Sequence, residues 1–154
     1  MKKIYLAGPC DTDNRTMMWK IATLLSEDNE FEVYCPWTYK VPDAWTYSQE
    51  DWAAFVFSQD IVKIQECDVF LMISVGRQST AGTNWEQGYA WGLGKDTIVI
   101  QINDKPASLM TYHGCDMYIN TNMNDLDYDM EYVKSMLHHT SDHWVKEKCL
   151  GVLT

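Results

Sequence analysis

The feature that most constrains this chain is a regular alternation of short apolar runs with longer helical stretches. Residues 3–8, 31–35, 68–75 and 96–102 are rich in β-branched, aromatic and aliphatic side chains, and 116–119 is a weaker run of the same kind. Runs of this length between turn residues read as buried strands. Helical patterning covers about 14–28, 48–66 and 83–94, a short stretch near 106–112, and 127–139. Such alternation predicts a parallel sheet of about five strands with right-handed crossovers and helices on both faces, the doubly wound α/β class. A length of 154 residues with 46% hydrophobic composition suits a single domain spanning 1–154. Ligands of such sheets bind beyond the carboxyl ends of the strands, which directs attention to the loops after residues 8, 35, 75 and 102.

A formal net charge of -10, with Lys and Arg scattered, argues against polymeric nucleic acid as a partner, because a phosphate backbone would be repelled. One small anionic ligand can still be held by local N–H groups, hydroxyls and one or two cations. Cys10, Cys35, Cys67, Cys115 and Cys149 are odd in number and form no CxxC pair, so neither a disulfide framework nor a zinc site is expected. A reducing, cytoplasmic setting is the expectation. Met1-Lys2-Lys3 leads directly into a strand-like run too short for a signal segment, and no run reaches membrane-spanning length, so no membrane partner is expected. His113, His138, His139 and His143 lack metal-site spacing and read as surface residues. With no Walker loop, GxGxxG or Gly-x-Ser-x-Gly elbow, NTP hydrolysis, dinucleotide redox chemistry and serine hydrolysis are disfavoured, and no cofactor or metal is expected.

The segment 76–95 is the most informative for chemistry. It follows a strand, turns through Gly82 and enters a helix, and Thr83-Asn84-Trp85-Glu86 fits a capping box with Thr83 as N-cap and Glu86 reaching back to it. The same placement serves catalysis. A carboxylate in the first helical turn is held ionised by the helix dipole, as a nucleophile toward an anomeric carbon must be, and glycine at 82 admits a ligand to the backbone. Spacing alone does not separate the two readings.

In the helix over 48–66, Trp52, Phe55, Val56, Ile61 and Ile64 form an expected core-facing stripe with Asp60 beside it. An aspartate there either bonds a neighbouring loop's N–H or delivers a proton to a leaving base. Tyr5, before the Leu6-Ala7-Gly8-Pro9 turn, is either packed or donates to a nearby carboxylate. Arg15 and Arg77 pair with surface acids or with a phosphate. Trp37, Tyr39, Trp45 and Tyr47 give the 36–51 segment an aromatic surface, as a lid on the core or as a base-stacking wall.

Taken together these residues resemble the nucleoside 2-deoxyribosyltransferase family over most of the chain. The likeness rests on Ile4-Tyr5-Leu6-Ala7-Gly8-Pro9, on Trp52 to Cys67-Asp68 with Asp60 inside it, and on Gly82-Thr83-Asn84-Trp85-Glu86-Gln87-Gly88-Tyr89-Ala90 with Gly94-Lys95. Lys105-Pro106-Ala107-Ser108-Leu109-Met110 resembles a fourth family segment. The resemblance implies a flavodoxin-like fold, Glu86 as a nucleophile forming a glycosyl-enzyme intermediate, Tyr5 positioning it, and Asp60 contacting or protonating the base. It implies substrate contacts at Gly8, Gly82, Ser108 and Met110, with Trp37 as a candidate stacking residue. The ligands are a small-molecule nucleoside or nucleotide and a free nucleobase. It further implies a homo-oligomer in which the segment around Ser108 reaches a neighbour's site.

Two positions depart from the transferases. Thr80 stands where they place an aspartate six residues before the nucleophile, and Ser108 where they place asparagine. The related nucleoside 5'-monophosphate N-glycosidases carry small hydroxyl residues at both, so Ser79, Thr80, Ser108 and Arg77 are candidates for a phosphate pocket. The Gly8-Pro9 turn and the helix around Asp60 resemble the transferases more closely. The expected function is deoxyribosyl transfer between nucleobases, with 5'-monophosphate hydrolysis as the alternative and a non-catalytic nucleotide sensor as the second alternative.

Overall fold

Strand β1 (Lys2–Ala7) lies second from one edge of a five-stranded sheet, between β2 (Phe31–Tyr34) and β3 (Val69–Ser74). The order is completed by β4 (Asp96–Ile102) and β6 (Met117–Thr121), with every pairing parallel. These elements come from a computed structural model that describes residues 1–76, 81–103 and 107–146 and the backbone of 152–153. The intervening helices are α1 (Arg15–Ser26), α2 (Gln49–Glu66), α3 (Ala81–Gly92), α4 (Leu109–His113) and α5 (Leu126–Leu137). The two-residue strands β5 (Ala107–Ser108) and β7 (Val152–Leu153) pair in parallel apart from the main sheet. The stretch expected as one short helix near 106–112 is therefore a strand that leads into α4.

Strand alternation divides the core in two. Ile4, Leu6, Val69, Leu71, Ile73, Ile98, Ile100, Met117 and Ile119 face α1 and α5, packing on Met18, Ile21, Leu25, Met130 and Val133. The residues between them, Tyr5, Ala7, Phe70, Met72, Val99 and Tyr118, face Ile64 of α2 and Ala90 of α3. Strands buried on both faces explain the continuous apolar runs in the sequence. The order β2-β1-β3 puts the topological switch point between β1 and β3. Ligands of this fold bind beyond that point.

The apolar stripe of α2 is not a core stripe. Ile64 is its fully buried member, whereas Trp52 and Phe55 are 43% and 44% exposed and Val56 and Ile61 are half-buried. The physical reason is length. Eighteen helical residues span about 27 Å, whereas a six-residue strand such as β1 spans about 20 Å, so the first turns of α2 outrun the sheet.

Two of the family segments have a structural use here. Gly94 takes the left-handed conformation, with φ 74°, as α3 ends, and Lys95 then donates from Nζ to Gln65 O and Cys67 O at the end of α2. The Lys3 backbone N–H donates to Asp68 Oδ2 at 2.8 Å, joining the start of β1 to the start of β3.

Candidate active site

Tyr5 is fully buried on the α2/α3 face of the sheet, with Tyr34 of β2 on one side and Phe70 of β3 on the other. Its ring centroid is 5.4 Å from that of Tyr34 and 5.5 Å from that of Phe70. Held between them, its hydroxyl donates to Glu86 Oε1 at 2.9 Å. A parallel arrangement serves the second acid, where Tyr34 donates its hydroxyl proton to Asp60 Oδ1 at 3.0 Å. Glu86 of α3 and Asp60 of α2 line one cavity of about 320 Å³, with Phe57, Ile61, Ile64, Gly82 and Trp85. Trp85 leans on Phe57, ring centroids 5.7 Å apart, and stacks on Tyr89. The wall is aromatic and aliphatic, and among the described residues its ionisable groups are the two acids.

That environment sets the acids' protonation. Burial pushes the Glu86 carboxyl up to about 7, the Tyr5 hydrogen bond opposes the rise, and the Asp60 charge adds to it. Burial also raises Asp60, with the Tyr34 hydrogen bond acting against it. Burial, reinforced by the charge of Glu86, lifts the Tyr5 phenol far above its usual range, so it remains a donor. The expected capping box is not what holds Glu86. The helix is already formed at Ala81, so Thr83 lies within its first turn, and Thr83 Oγ1 donates to Gly8 O at 3.4 Å. Glu86 sits beyond the first turn, where burial and Asp60 outweigh any help from the helix dipole.

The other candidate residues are distributed around this cavity. Gly8 is closely packed, since a Cβ there would lie 2.6 Å from the flexible end of Met18, at Cε, and 3.2 Å from Ile73 Cβ. Trp37 lines a separate cavity of about 290 Å³ with Pro9, Cys10, Arg15, Met18 and Trp19, and its indole meets that of Trp19 edge-on at 5.9 Å. Ser108 and Met110 line a third cavity of about 290 Å³, on the flank of α3 that carries Asn84, Gln87 and Trp91. Ser108 Oγ caps α4 by accepting the Thr111 N–H at 3.1 Å, while Met110 is 76% exposed. Thr80, with Arg77, Ser79, Lys105 and Pro106, lies outside the described residues. Among the described residues, no group of three or more His, Cys, Asp or Glu side chains is placed to hold a metal ion, and no helix is long and apolar enough to cross a membrane.

Sequence reasoning missed Tyr34, Phe57, Trp85 and Gln87. Gln87 is buried and donates from Nε2 to Thr111 O at 2.9 Å and Gly114 O at 2.8 Å, which fixes α4 against α3. A polar residue one helical turn from Ala90 was the available signal for it. Trp85 was legible only as the neighbour of Glu86.

Two carboxylates in an apolar cavity, each accepting a hydrogen bond from its own phenol, thus lie at the switch point of an α/β protein with the parallel order β2-β1-β3-β4-β6. The chain belongs to the nucleoside 2-deoxyribosyltransferase family, whose model matches residues 4–137. Among solved structures it is similar to a 2-deoxyribosyltransferase from Bacillus psychrosaccharolyticus, with 27% identity, TM-score 0.69, and 81% of this chain and 90% of that one covered. A conserved protein from Enterococcus faecalis V583 (16% identity, TM-score 0.59, 86% and 99% covered) shares the fold. So does a CMP N-glycosidase from Clostridium botulinum (18% identity, TM-score 0.57, 86% and 98% covered). None of the curated proteins matches the chain's sequence.

Proposed function

We propose that the chain is a nucleoside 2'-deoxyribosyltransferase, and the observation that carries this reading is the Tyr5 to Glu86 hydrogen bond at the wall of a cavity shared with Asp60. Ionised Glu86 attacks C1' while the base departs with a proton from Asp60, giving a glycosyl-Glu86 ester. A second base then attacks C1', releases Glu86 and returns a proton to Asp60. Phe57, Ile61 and Trp85 give an incoming nucleobase an apolar surface to pack on beside the ester, which supports transfer.

Exposure of Met110, and the separation of Ser108 and Met110 from Glu86 within one chain, support a homo-oligomer in which this segment completes a neighbour's site. The unburied Trp52 and Phe55 supply apolar surface for that association. The hydroxyl at Ser108 and the threonine at 80 favour one other substrate, a nucleoside 5'-monophosphate, with Thr80 and Ser108 near its phosphate.

The test is a chromatographic assay of deoxynucleosides and their 5'-monophosphates, each with and without a free acceptor base. Base exchange on unphosphorylated deoxynucleosides is expected, and Glu86→Ala is expected to abolish it. Equal activity of Glu86→Ala and the unmutated protein would overturn the catalytic reading. Base release from monophosphates alone would replace the transferase by the N-glycosidase.

A further inference from the structure

Tyr34 belongs to none of the residues that line the cavity around Glu86, yet it makes the hydrogen bond that holds Asp60. Its position follows from strand register. β1 and β2 pair Tyr5 with Tyr34, so both side chains leave the same face of the sheet, one toward each acid. Lys63 Nζ, on the same helix as Asp60, lies 5.9 Å from the Tyr34 ring centroid, and Tyr5 abuts the ring at 5.4 Å. The ring is thus steadied by β1 and by α2. A packed ring on a strand is a rigid support, and its single O–H has one acceptor.

We propose that Tyr34 is a positioning residue for cleavage of the glycosidic bond: by donating to Asp60 Oδ1 it stops the carboxyl group from turning over and assigns the transferable proton to Oδ2. The inference rests on the reading of Glu86 as nucleophile and Asp60 as proton donor. An oxygen that already accepts a phenol proton is the less favourable place for the acid's own proton, which therefore resides on Oδ2. Without the phenol, rotation about the last side-chain bond exchanges the two oxygens, and the proton is aligned with the leaving base only part of the time.

The step balances with the groups named. Glu86 donates an electron pair to C1', the C1'–N pair passes to the departing base, and the Oδ2–H bond breaks as a base nitrogen takes the proton. Asp60 is left as a carboxylate whose Oδ1 still accepts from Tyr34. When the second base attacks C1', its N–H proton moves to Oδ2 and the Glu86 ester bond breaks, which restores the starting state.

A leaving group that needs no proton separates this role from a structural one. Tyr34→Phe, Asp60→Asn and the double variant are compared on two substrates with the same 5' group. One is the nucleoside substrate cleaved fastest by the unmutated enzyme. The other is the 4-nitrophenyl 2-deoxy-β-ribofuranoside, whose nitrophenolate departs unprotonated. Tyr34→Phe is expected to lower kcat on the nucleoside by about 10- to 100-fold, a part of what a general acid contributes. On the aryl glycoside its kcat should stay within about twofold of the unmutated enzyme, which also reports that the variant is folded. The double variant should be no slower on the nucleoside than Asp60→Asn alone, because Tyr34 has nothing left to position. Equal losses of Tyr34→Phe on both substrates, no loss on either, or a double variant slowed by the product of the single effects would each overturn the proposal. Failure of the underlying reading looks different, since Glu86→Ala would then release nitrophenolate as fast as the unmutated enzyme.

Discussion

Removing the Tyr5 hydroxyl should move the pH dependence of catalysis in a direction the structure fixes. The phenol donates to Glu86 Oε1 at 2.9 Å and thereby opposes the rise of the Glu86 carboxyl, which burial and Asp60 carry to about 7. A hydrogen bond to an ionised group contributes about 1.5–3 kcal/mol. At about 1.4 kcal/mol per pH unit, its loss in Tyr5→Phe moves the Glu86 titration up by about one to two pH units. In the proposed role Glu86 must be ionised, so the ascending limb of kcat/KM against pH moves to higher pH by that amount. At pH 6 an acid titrating near 7 is about one-tenth ionised, and the same acid titrating one to two units higher is about 10- to 100-fold less so. The variant's deficit should be of that size at pH 6 and should shrink as pH rises through the new limb. Steady-state kcat/KM measured from pH 5 to 10 checks this. A Tyr5→Phe profile that is depressed evenly, with its limb unmoved, would refute the assignment of this hydrogen bond to the working carboxylate.

Stability should carry the mark of the same burial. Glu86 titrates higher folded than the ordinary 4.5, so the folded state is penalised increasingly from about pH 4.5 to about 7 and fully above that. Glu86→Gln should therefore raise the unfolding free energy by about 1–3 kcal/mol at pH 8 and by much less at pH 4, as thermal melts at the two pH values would show. Gln87→Ala leaves the Thr111 and Gly114 carbonyls without their shared donor and opens a gap between α3 and α4. A loss of about 1–3 kcal/mol in denaturant unfolding is expected. Phe55→Ser is expected to change unfolding of the separated chain by less than about 1 kcal/mol, because the ring is already 44% exposed, while shifting sedimentation toward smaller species. An unchanged sedimentation profile would remove this face from the proposed association.

Much of this protein is written locally. Continuous apolar runs, and the helical stretches between them, identify five strands and their crossovers, because run length and helical period are local properties of the chain. Tyr5 was legible as a phenol at a strand end, Asp60 as an acid beside an apolar stripe, and Glu86 as an acid at a helix start. Their combination was not legible from local pattern. Tyr5 and Glu86 stand 81 residues apart and Tyr34 and Asp60 stand 26 apart, and both hydrogen bonds depend on strand register and on which face each crossover helix covers. The same limit explains the misplaced details. Whether Thr83 caps a helix depends on a turn beginning two residues earlier, and whether Trp52 and Phe55 are buried depends on how far a neighbouring strand extends. Sequence by itself determined the sheet, its order of elements and the acids available to it. Only the tertiary structure decided that a phenol is aimed at each acid, that Trp37, Ser108 and Met110 line other cavities, and that burial outweighs the helix dipole at Glu86. Those outcomes depend on distances between segments remote in the chain, which no local periodicity encodes.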